Sequence, residues 1–315
     1  MTRALLIDTD PGIDDAVAIA LALAVPDVEV IGISTVGGNT GLQHTTRNAL
    51  RLLEFLDRTE IPVASGYDQP YKRAKKLEEA TAVHGSDGFA GVDLPDPVTK
   101  VVSNNSSDFL AEKIRNSKNP VTLVAIGPLT NIAYLLDAHP DVVGLIDRFV
   151  IMGGAAHTGN VTPVAEFNIW HDPEAAKRVF ASGLEVVMVG LDATHRTKTF
   201  EELWTWLADA GKFGSVFKTM IDAYTDFYHS VYGERMTHQH DALAMAEAIW
   251  PGIMETSKAF IDVECQSDLT LGMTVTDTRM RQGQKPNGYV AWGLDSDVFH
   301  SRLMENLKNL ANTIK

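Results

Sequence analysis

Residues 5–19 read LLIDTDPGIDDAVAI: an apolar run of strand length, a short turn, and an apolar, alanine-rich run of helical length. Four aspartates are compressed into this stretch, namely Asp8, Asp10, Asp14 and Asp15. Carboxylates this close in sequence repel one another strongly unless a positive charge lies among them. Since Ca²⁺ and Mg²⁺ prefer carboxylate oxygen ligands, the stretch predicts a hard-cation site between a strand and a helix.

The turn contains the residues that a tight change of chain direction needs. Pro11 fixes φ, and Gly12 permits a backbone shape that a Cβ would obstruct. Asp14 is then placed to cap the following helix, and Asp15 falls in its first turn. One alternative stays open at this point: one or two of the aspartates are helix caps and the others are solvated loop residues.

Composition and charge restrict the class of protein. The chain has 315 residues, of which 45% are hydrophobic and 22% are charged, as in a globular protein with a large core. A net charge of −14 disfavours nucleic acid and anionic membranes as partners, because both would repel the protein. Neutral substrates and bound cations are compatible with this charge.

The sequence predicts a soluble, cytoplasmic protein. The single cysteine, Cys265, excludes an intrachain disulfide and fits a reducing compartment. No signal-peptide pattern follows Met1. The longest apolar run, residues 16–25, is too short to span a membrane.

Apolar strands alternate with helical segments along the first two thirds of the chain. After the first strand, strands are predicted at 28–36, 61–64, 121–126, 149–154 and 185–191. Such a pattern is typical of a parallel sheet covered on both faces, so we expect an α/β fold with a mostly parallel, Rossmann-like open sheet flanked by helices. Segments 259–264, 269–275 and 289–292 predict a small β addition near the C-terminus. We expect one domain spanning 1–315.

The alternation breaks down between residues 66 and 100, a segment that contains His84. A connection this long inside a compact domain is more often functional than idle. We interpret the segment as a lid or a binding loop.

Conspicuous polar residues follow the predicted strands at their carboxyl ends, where ligands bind in open parallel sheets. These residues are Asp10, Asn39, Asn160, Glu166, Asn168, Asp192 and His195. Unrelated surface residues would not be expected to fall repeatedly at the carboxyl ends of strands, so the pattern predicts a ligand-binding site. Its oxygen-rich side chains suit a hard cation together with a polyhydroxylated ligand. For any single asparagine, a role in a turn is the alternative.

A second concentration of polar residues reads His238-Gln239-His240-Asp241. It places a potential proton donor, His240, beside a potential metal ligand, Asp241. A zinc site is disfavoured because a third nitrogen or sulfur ligand at suitable spacing is missing. The tyrosine-rich segment 224–232 just upstream predicts either stacking on a planar ligand or packing of an amphipathic helix.

The opening signature, DTDPGIDDAVAI at 8–19, closely resembles that of the nucleoside hydrolases, the inosine–uridine-preferring N-ribohydrolase family. Further matching motifs follow in order: GGN at 37–39, IGPLTN at 126–131, MGG at 152–154, EFN at 166–168, DPEAA at 172–176 and HDA at 240–242. The resemblance covers nearly the whole chain. It implies the fold of that family and hydrolysis of the N-glycosidic bond of ribonucleosides to ribose and free base.

The resemblance also implies roles for the polar residues. A Ca²⁺ would be held by Asp10, Asp15, Asp241 and the main-chain carbonyl of Ile126. Asp10 would in addition be the general base on a water whose acidity the metal raises. The ribose-binding positions would be Asp14, Asn39, Asn160, Glu166 and Asn168, with Phe167 inside the same motif. The packed carboxylates would stabilise positive charge that develops on the sugar.

The base end resembles the pyrimidine- or broad-specificity branch, in which two histidines match His84 and His240. His240 would be the acid for the leaving base, and its expected neighbours are Tyr228, His229 and Tyr232. The resemblance gives no role to His195. It further implies a small nucleoside substrate, a place in nucleoside salvage and a homotetramer or dimer.

Two alternatives remain. A haloacid-dehalogenase-type phosphatase would also have an Asp-x-Asp after its first strand, here Asp8-Thr9-Asp10, but Gly12 stands where that motif needs Thr or Val. A non-catalytic, calcium-dependent nucleoside- or ribose-binding protein would keep the same ligands. The presence of a positioned base and acid favours turnover.

Overall fold

The fold is built around a mixed β-sheet. The computed structural model describes residues 2–73, 78–280 and 283–314. The strands are β1 (Arg3–Thr9), β2 (Val28–Thr35), β3 (Val63–Ser65), β4 (Val121–Ala125), β5 (Ile146–Met152), β6 (Val186–Val189), β7 (Lys198–Phe200), β8 (Met236–His238), β9 (Glu255–Val263), β10 (Thr274–Asp277) and β11 (Gly288–Gly293). Over the described residues, the main sheet has nine strands in the order β10-β9-β11-β6-β5-β4-β1-β2-β3. A separate antiparallel pair joins β7 to β8.

The main sheet is parallel from β3 to β11. In its centre, β1 lies between β2 and β4, with Ile7 opposite Ile33 on one side and Val124 on the other. These strands are buried on both faces, which explains their continuous apolar sequences. The predicted α/β fold with a mostly parallel sheet flanked by helices is therefore confirmed.

The C-terminal strands extend this sheet. β11 joins β6 in parallel, and β9 then pairs antiparallel with β11 and with β10. Strand β9 alternates between buried and accessible residues along its second half, as expected for an edge region with one solvated face. The predicted β addition is thus present, as the edge of the central sheet.

Helices cover both faces of the sheet. They are α1 (Ile13–Ala24), α2 (Leu42–Phe55), α3 (Thr81–His84), α4 (Ser106–Asn116), α5 (Thr130–Ala138), α6 (Phe167–His171), α7 (Pro173–Phe180), α8 (Leu191–Thr194), α9 (Gly211–Tyr232), α10 (His240–Ile249) and α11 (Ser296–Ala311). Short 3₁₀ helices lie at Pro140–Leu145 and Glu201–Asp209. In the described part of the chain, no helix is long and apolar enough to cross a membrane.

Helix α1 is the central helix of the larger core. Its residues from Ile13 to Leu23 are buried, and it packs against α10 and α11. A helix that is apolar on all sides is stable only when it is enclosed in this way. Its N-terminus, which carries the acidic turn, is therefore held rigidly at the carboxyl end of β1.

Two local predictions are wrong. Asp14 does not cap α1, because the helix begins earlier: Gly12 is the N-cap, and the Asp15 side chain accepts a hydrogen bond from the Gly12 amide at 2.9 Å. The strand predicted at 269–275 begins instead at Thr274. The preceding residues form a turn that ends at Gly272, whose φ of +78° favours glycine, and the apolar Leu269 is exposed.

Candidate active site

A cavity of about 390 Å³ opens at the carboxyl ends of the parallel strands. It is lined by nearly all of the residues that the sequence singled out: Asp14, Asn39, His84, Ile126, Asn160, Glu166, Phe167, Asn168, Tyr228, Tyr232, His240 and Asp241. Asp10 and Asp15 are fully buried, and each accepts a hydrogen bond from Asn39, which lines the cavity. The structure thus brings the predicted site residues together from segments far apart in the sequence.

Three buried carboxylates form the floor. One oxygen from each of Asp14, Asp15 and Asp241 lies within 4.8 Å of the other two. Asp15 is oriented by the Gly12 amide and by the Asn39 side-chain amide, at 2.9 and 3.0 Å. Asp241 lies in the first turn of α10 and shares a hydrogen bond with Asp15. Two ionised carboxylates cannot share a hydrogen bond, so a proton or a cation must lie between them.

Asp10 lies beside this group at the end of β1. Its Oδ2 accepts a hydrogen bond from the Asn39 amide at 2.7 Å, whereas its buried Oδ1 has no hydrogen-bond partner among the described residues. Two glycines permit this position. A Cβ on Gly127 would lie 2.5 Å from Oδ1, and one on Gly38 would lie 2.1 Å from Oδ2.

The electrostatics of this cluster favour a cation. Burial raises the pKa of Asp10 and of Asp241 well above the usual range, and repulsion from neighbouring aspartates raises both further. The same two causes raise the pKa of Asp14 to about 8. Protonation is one way to relieve such repulsion, and a hard cation is the other. The donor set, all oxygen with one unpartnered carboxylate atom, fits a metal ion such as Ca²⁺.

The structure differs in one respect from the predicted ligand set. Asp14, predicted to bind ribose, belongs to the group of three close carboxylates, whereas Asp10 does not. The carbonyl of Ile126 lies at the same cavity and accepts a hydrogen bond from the Asn168 side-chain amide at 3.0 Å. The assignment of ligands to Asp10, Asp15, Asp241 and Ile126 therefore stays a prediction.

One wall of the cavity comes from the segment after β5. Glu166 caps α6, and its carboxylate accepts three backbone hydrogen bonds, from Gly154, Asn168 and Ile169, at 2.9 to 3.1 Å. Burial nevertheless raises the pKa of Glu166 to about 7. Asn160 is exposed, and its side-chain oxygen accepts a hydrogen bond from the Phe167 amide at 2.9 Å.

His84 brings the long connection between β3 and α4 to the opposite wall. It ends the short helix α3, and its Nδ1 accepts a hydrogen bond from the Ile13 amide at 3.1 Å. The proton of the neutral ring is therefore on Nε2, which lies 4.0 Å from Oδ1 of Asp14. Burial lowers the pKa of His84 to about 3, so the ring is neutral. Residues 74–77 of this connection lie outside the described part of the chain.

His240 and the tyrosines of α9 complete that wall. Nε2 of His240 lies 2.9 Å from the Tyr228 hydroxyl, and Nδ1 lies 2.8 Å from Oγ1 of Thr194. Burial and the neighbouring histidines lower the pKa of His240 far below its usual value. Tyr232 stacks on Tyr228 with ring centroids 5.6 Å apart and is half exposed at the rim.

Of the other histidines and tyrosines noted in the sequence, some reach the site and some do not. His195, which had no assigned role, and Tyr224 both line the cavity. His238 is buried behind them, with its ring centroid 5.7 Å from that of His240. His229 is exposed on α9.

Sequence reasoning missed the residues that attach the His84 connection to the sheet. The side chain of Asn131 donates to Oδ1 of Asp8 at 2.6 Å and accepts from the Tyr67 amide at 3.0 Å. Asp172, besides capping α7, accepts a hydrogen bond from the Tyr71 amide at 2.7 Å. Asn131 belongs to the IGPLTN motif, so the sequence did mark this residue. Its contacts with Asp8 and Tyr67, however, form only in the folded chain.

Comparisons with known proteins show what this chain is similar to. The model of the family described as inosine-uridine preferring nucleoside hydrolase matches residues 5–301. The pyrimidine-specific ribonucleoside hydrolase RihA of Shewanella sp. (strain ANA-3) is 40% identical over 309 residues, which are 98% of this chain and 96% of that protein. RihA of Escherichia coli O1:K1 / APEC is 40% identical over 310 residues, 98% and 99% of the two chains. The structure of a purine-preferring ribonucleoside hydrolase from Gardnerella vaginalis is similar with a TM-score of 0.93 at 31% identity, covering 98% of this chain and 99% of that one.

Proposed function

Since the chain belongs to the inosine-uridine preferring nucleoside hydrolase family, we propose that it is a calcium-dependent hydrolase that accepts pyrimidine ribonucleosides. Hydrolysis of the N-glycosidic bond follows from the family itself. This membership disfavours both the phosphatase and the non-catalytic binding protein that the sequence left open. The metal, the preferred base and the roles of individual residues are the parts that we propose.

The observation that carries the proposal is that the floor of the cavity and one of its walls differ in chemistry. Its floor consists of buried carboxylates, which suit a cation and sugar hydroxyls, while one wall consists of imidazole and phenol groups. Oxygen ligands and aromatic rings are the chemistry expected for the two halves of a nucleoside. Both halves of a nucleoside would thus find suitable groups in this one cavity.

On the sugar side, we propose that Asp10 takes a proton from the attacking water. Its Oδ1 is buried without a partner among the described residues, so this atom is free to accept a proton. Asp14, Asp15 and Asp241 supply negative charge beneath the sugar ring, which stabilises an oxocarbenium-like transition state.

The predicted ribose ligands stand around this floor. Asn39 and Asn168 both line the cavity, together with Glu166, Asn160 and Phe167. We propose that Asp15, Asp241, the Ile126 carbonyl and Asp10 or Asp14 hold the Ca²⁺. When bound, the ion would supply Lewis-acid polarisation of the water and of the ribose hydroxyls.

At the base end, we propose that His240 and Tyr228 deliver the proton to the leaving base. Both nitrogens of His240 already pair with hydroxyl groups, so the Tyr228 hydroxyl gives its proton to the base while the Nε2–H of neutral His240 stabilises the phenolate. The proton released by the attacking water balances the one that the base takes up, and Tyr228 is reprotonated before the next turnover. His84 faces the same space with its Nε2–H, and Tyr232 covers the rim. The preference for pyrimidines is supported by the 40% identity to enzymes named as pyrimidine-specific.

The cellular compartment, the oligomeric state and the metabolic role of the enzyme are also proposals. We propose a cytoplasmic, homo-oligomeric enzyme of nucleoside salvage that acts on free nucleosides. The net charge of −14 supports a neutral small substrate over nucleic acid or a membrane surface.

The test is release of ribose from uridine, cytidine, inosine and adenosine, each with added Ca²⁺ and with a chelator. We expect chelator-sensitive release that is fastest with uridine or cytidine. If the chelator does not slow the release of ribose, the proposed calcium dependence is wrong. If ribose is released faster from the purine nucleosides, the proposed base preference is wrong. Binding of nucleosides without release from any of them would support the non-catalytic alternative.

A further inference from the structure

His195 is a histidine of the cavity wall that the proposed reaction does not yet use. It follows the short helix α8 at the carboxyl end of β6 and lines the cavity. Its ring centroid lies 5.7 Å from that of His240, with the two planes inclined at 63°. His195 therefore belongs to the wall that carries His240 and Tyr228, at the base end of the site.

The ring of His195 has hydrogen-bonding capacity left over. Within the described part of the chain, neither ring nitrogen makes a hydrogen bond, whereas both nitrogens of His240 are engaged. Burial lowers the pKa of His195, although the nearby Asp192 opposes this effect. A neutral imidazole carries one N–H donor and one acceptor nitrogen.

A metal-binding role is not supported by the geometry. In the described residues, the only group of side chains close enough to hold a metal is formed by Asp14, Asp15 and Asp241. The rings of His195, His238 and His240 are instead in contact at centroid distances of 4.9 to 5.7 Å. A polar group on the wall of a substrate cavity, with no partner of its own, is better explained by a contact to the substrate.

We propose that His195 contacts the nucleobase and donates a hydrogen bond to it as the N-glycosidic bond breaks. This inference rests on the proposed function. When that bond breaks, its electron pair moves onto the base, and the acceptor atoms of the base become more negative. An N–H donor aimed at those atoms binds the transition state more strongly than the ground state. His195 keeps its proton throughout, and protonation of the base remains with His240 and Tyr228.

The competing explanation is that His195 only supports its neighbours. Its ring lies against His238 and His240, so its loss could disturb the wall without any contact to the base. The two explanations differ in their dependence on Tyr228. A direct donor stabilises the leaving base even in a Tyr228→Phe background, whereas a residue that only positions His240 and Tyr228 loses its effect there.

The experiment compares uridine with 4-nitrophenyl β-D-ribofuranoside, whose leaving group departs as a stable anion. His195→Phe keeps a planar ring and removes the N–H, while His195→Gln restores a donor. We expect His195→Phe to lower kcat/KM for uridine about 10- to 100-fold, the effect of losing one transition-state hydrogen bond. We expect the nitrophenyl riboside to change less than about twofold, and His195→Gln to recover part of the loss.

The matched control is His229→Phe, the same substitution at the exposed histidine of α9, which should leave both substrates unaffected. Melting temperatures of all variants are measured, and His195→Ala replaces His195→Phe in the comparison if the latter does not fold. Unchanged turnover of uridine, equal losses with both substrates, or no further loss of uridine turnover when His195→Phe is added to Tyr228→Phe would each overturn the inference. Wild-type protein that is inactive with every riboside would instead remove the proposed function itself.

Discussion

The Tyr228 hydroxyl lies 2.9 Å from Nε2 of His240, and Oγ1 of Thr194 lies 2.8 Å from Nδ1 of the same ring. These two hydrogen bonds join α9, α10 and α8 at one imidazole. Because the ring is held from both sides, its orientation toward the cavity is set before any substrate binds. Such preorganisation is what proton transfer to a leaving group requires.

Tyr228→Phe should slow hydrolysis more for a substrate whose leaving group needs a proton than for one whose leaving group departs as a stable anion. The substitution removes the hydroxyl that we propose to donate the proton but keeps the ring that stacks on Tyr232. We expect kcat for uridine to fall at least about 10-fold, and kcat for 4-nitrophenyl β-D-ribofuranoside to stay nearly constant. Tyr289→Phe, on β11, is the matched control. Equal losses on the two substrates would show that Tyr228 serves another purpose.

Asp10→Asn should abolish turnover without unfolding the protein. The amide keeps the size of the side chain but cannot act as a base, so we expect kcat to fall about 10²- to 10⁴-fold. The substitution also removes a carboxyl group whose ionisation is opposed by burial and by Asp15, so the melting temperature of the metal-free protein should stay the same or rise. Ribose release and thermal melting measure the two effects. Turnover within about 10-fold of wild type would exclude Asp10 as the general base.

Gly127→Ala should damage the site through sterics alone. The new Cβ would lie 2.5 Å from Oδ1 of Asp10 and 3.1 Å from Val36, so the carboxylate must move. We expect activity to fall about 100-fold, which is the effect that misplacing a catalytic group typically has. Gly144→Ala is the control, because its Cβ would have no atom within 4 Å. If Gly127→Ala retained wild-type activity, the observed position of Asp10 could not be essential.

Binding of Ca²⁺ should strengthen with rising pH. Burial and repulsion from Asp15 raise the pKa of Asp14 to about 8, and the other aspartates of the cluster are raised as well. At pH 6 the cation must displace protons from these groups, whereas at pH 8 it displaces fewer. The increase in melting temperature with added Ca²⁺ should therefore be larger at pH 8 than at pH 6. An equal increase at both pH values would contradict binding to this cluster.

Glu166 should make wild-type stability fall as pH rises. Burial raises its pKa from 4.5 to about 7, so between these values the folded state binds a proton that the unfolded chain releases. The contribution of Glu166 to the free energy of unfolding should decrease by about 3 kcal/mol across that window. Glu166→Gln lacks only this contribution, because Asp14 and Asp241 also have raised pKa values in both proteins. The variant is less stable throughout because its amide faces backbone donors. Denaturant titrations of both proteins at pH 5 and pH 7.5 measure the difference, and parallel pH profiles would refute it.

Much of the architecture is visible in the sequence because it is encoded locally. The apolar run before Asp10 and the turn at Pro11 and Gly12 predict the first strand and helix, and the alternation of strands and helices predicts the parallel sheet. The topology then places Asn39 and Glu166 at the same edge as Asp10. The errors are local as well: the cap of α1 is Gly12 with Asp15 rather than Asp14, and a turn precedes β10.

The sequence by itself determined the fold class, the place of the candidate site at the carboxyl edge of the sheet, and the set of side chains that could serve it. Hydrophobic periodicity and turn chemistry act over a few residues, so they can be read along the chain. Only the tertiary structure decided that Asp14 joins Asp15 and Asp241, that Nε2 of His84 faces Asp14, and that His195 stands beside His240. These relationships depend on distances between segments up to some 230 residues apart in the chain, which are set by how the helices pack on the sheet and leave no local pattern in the sequence.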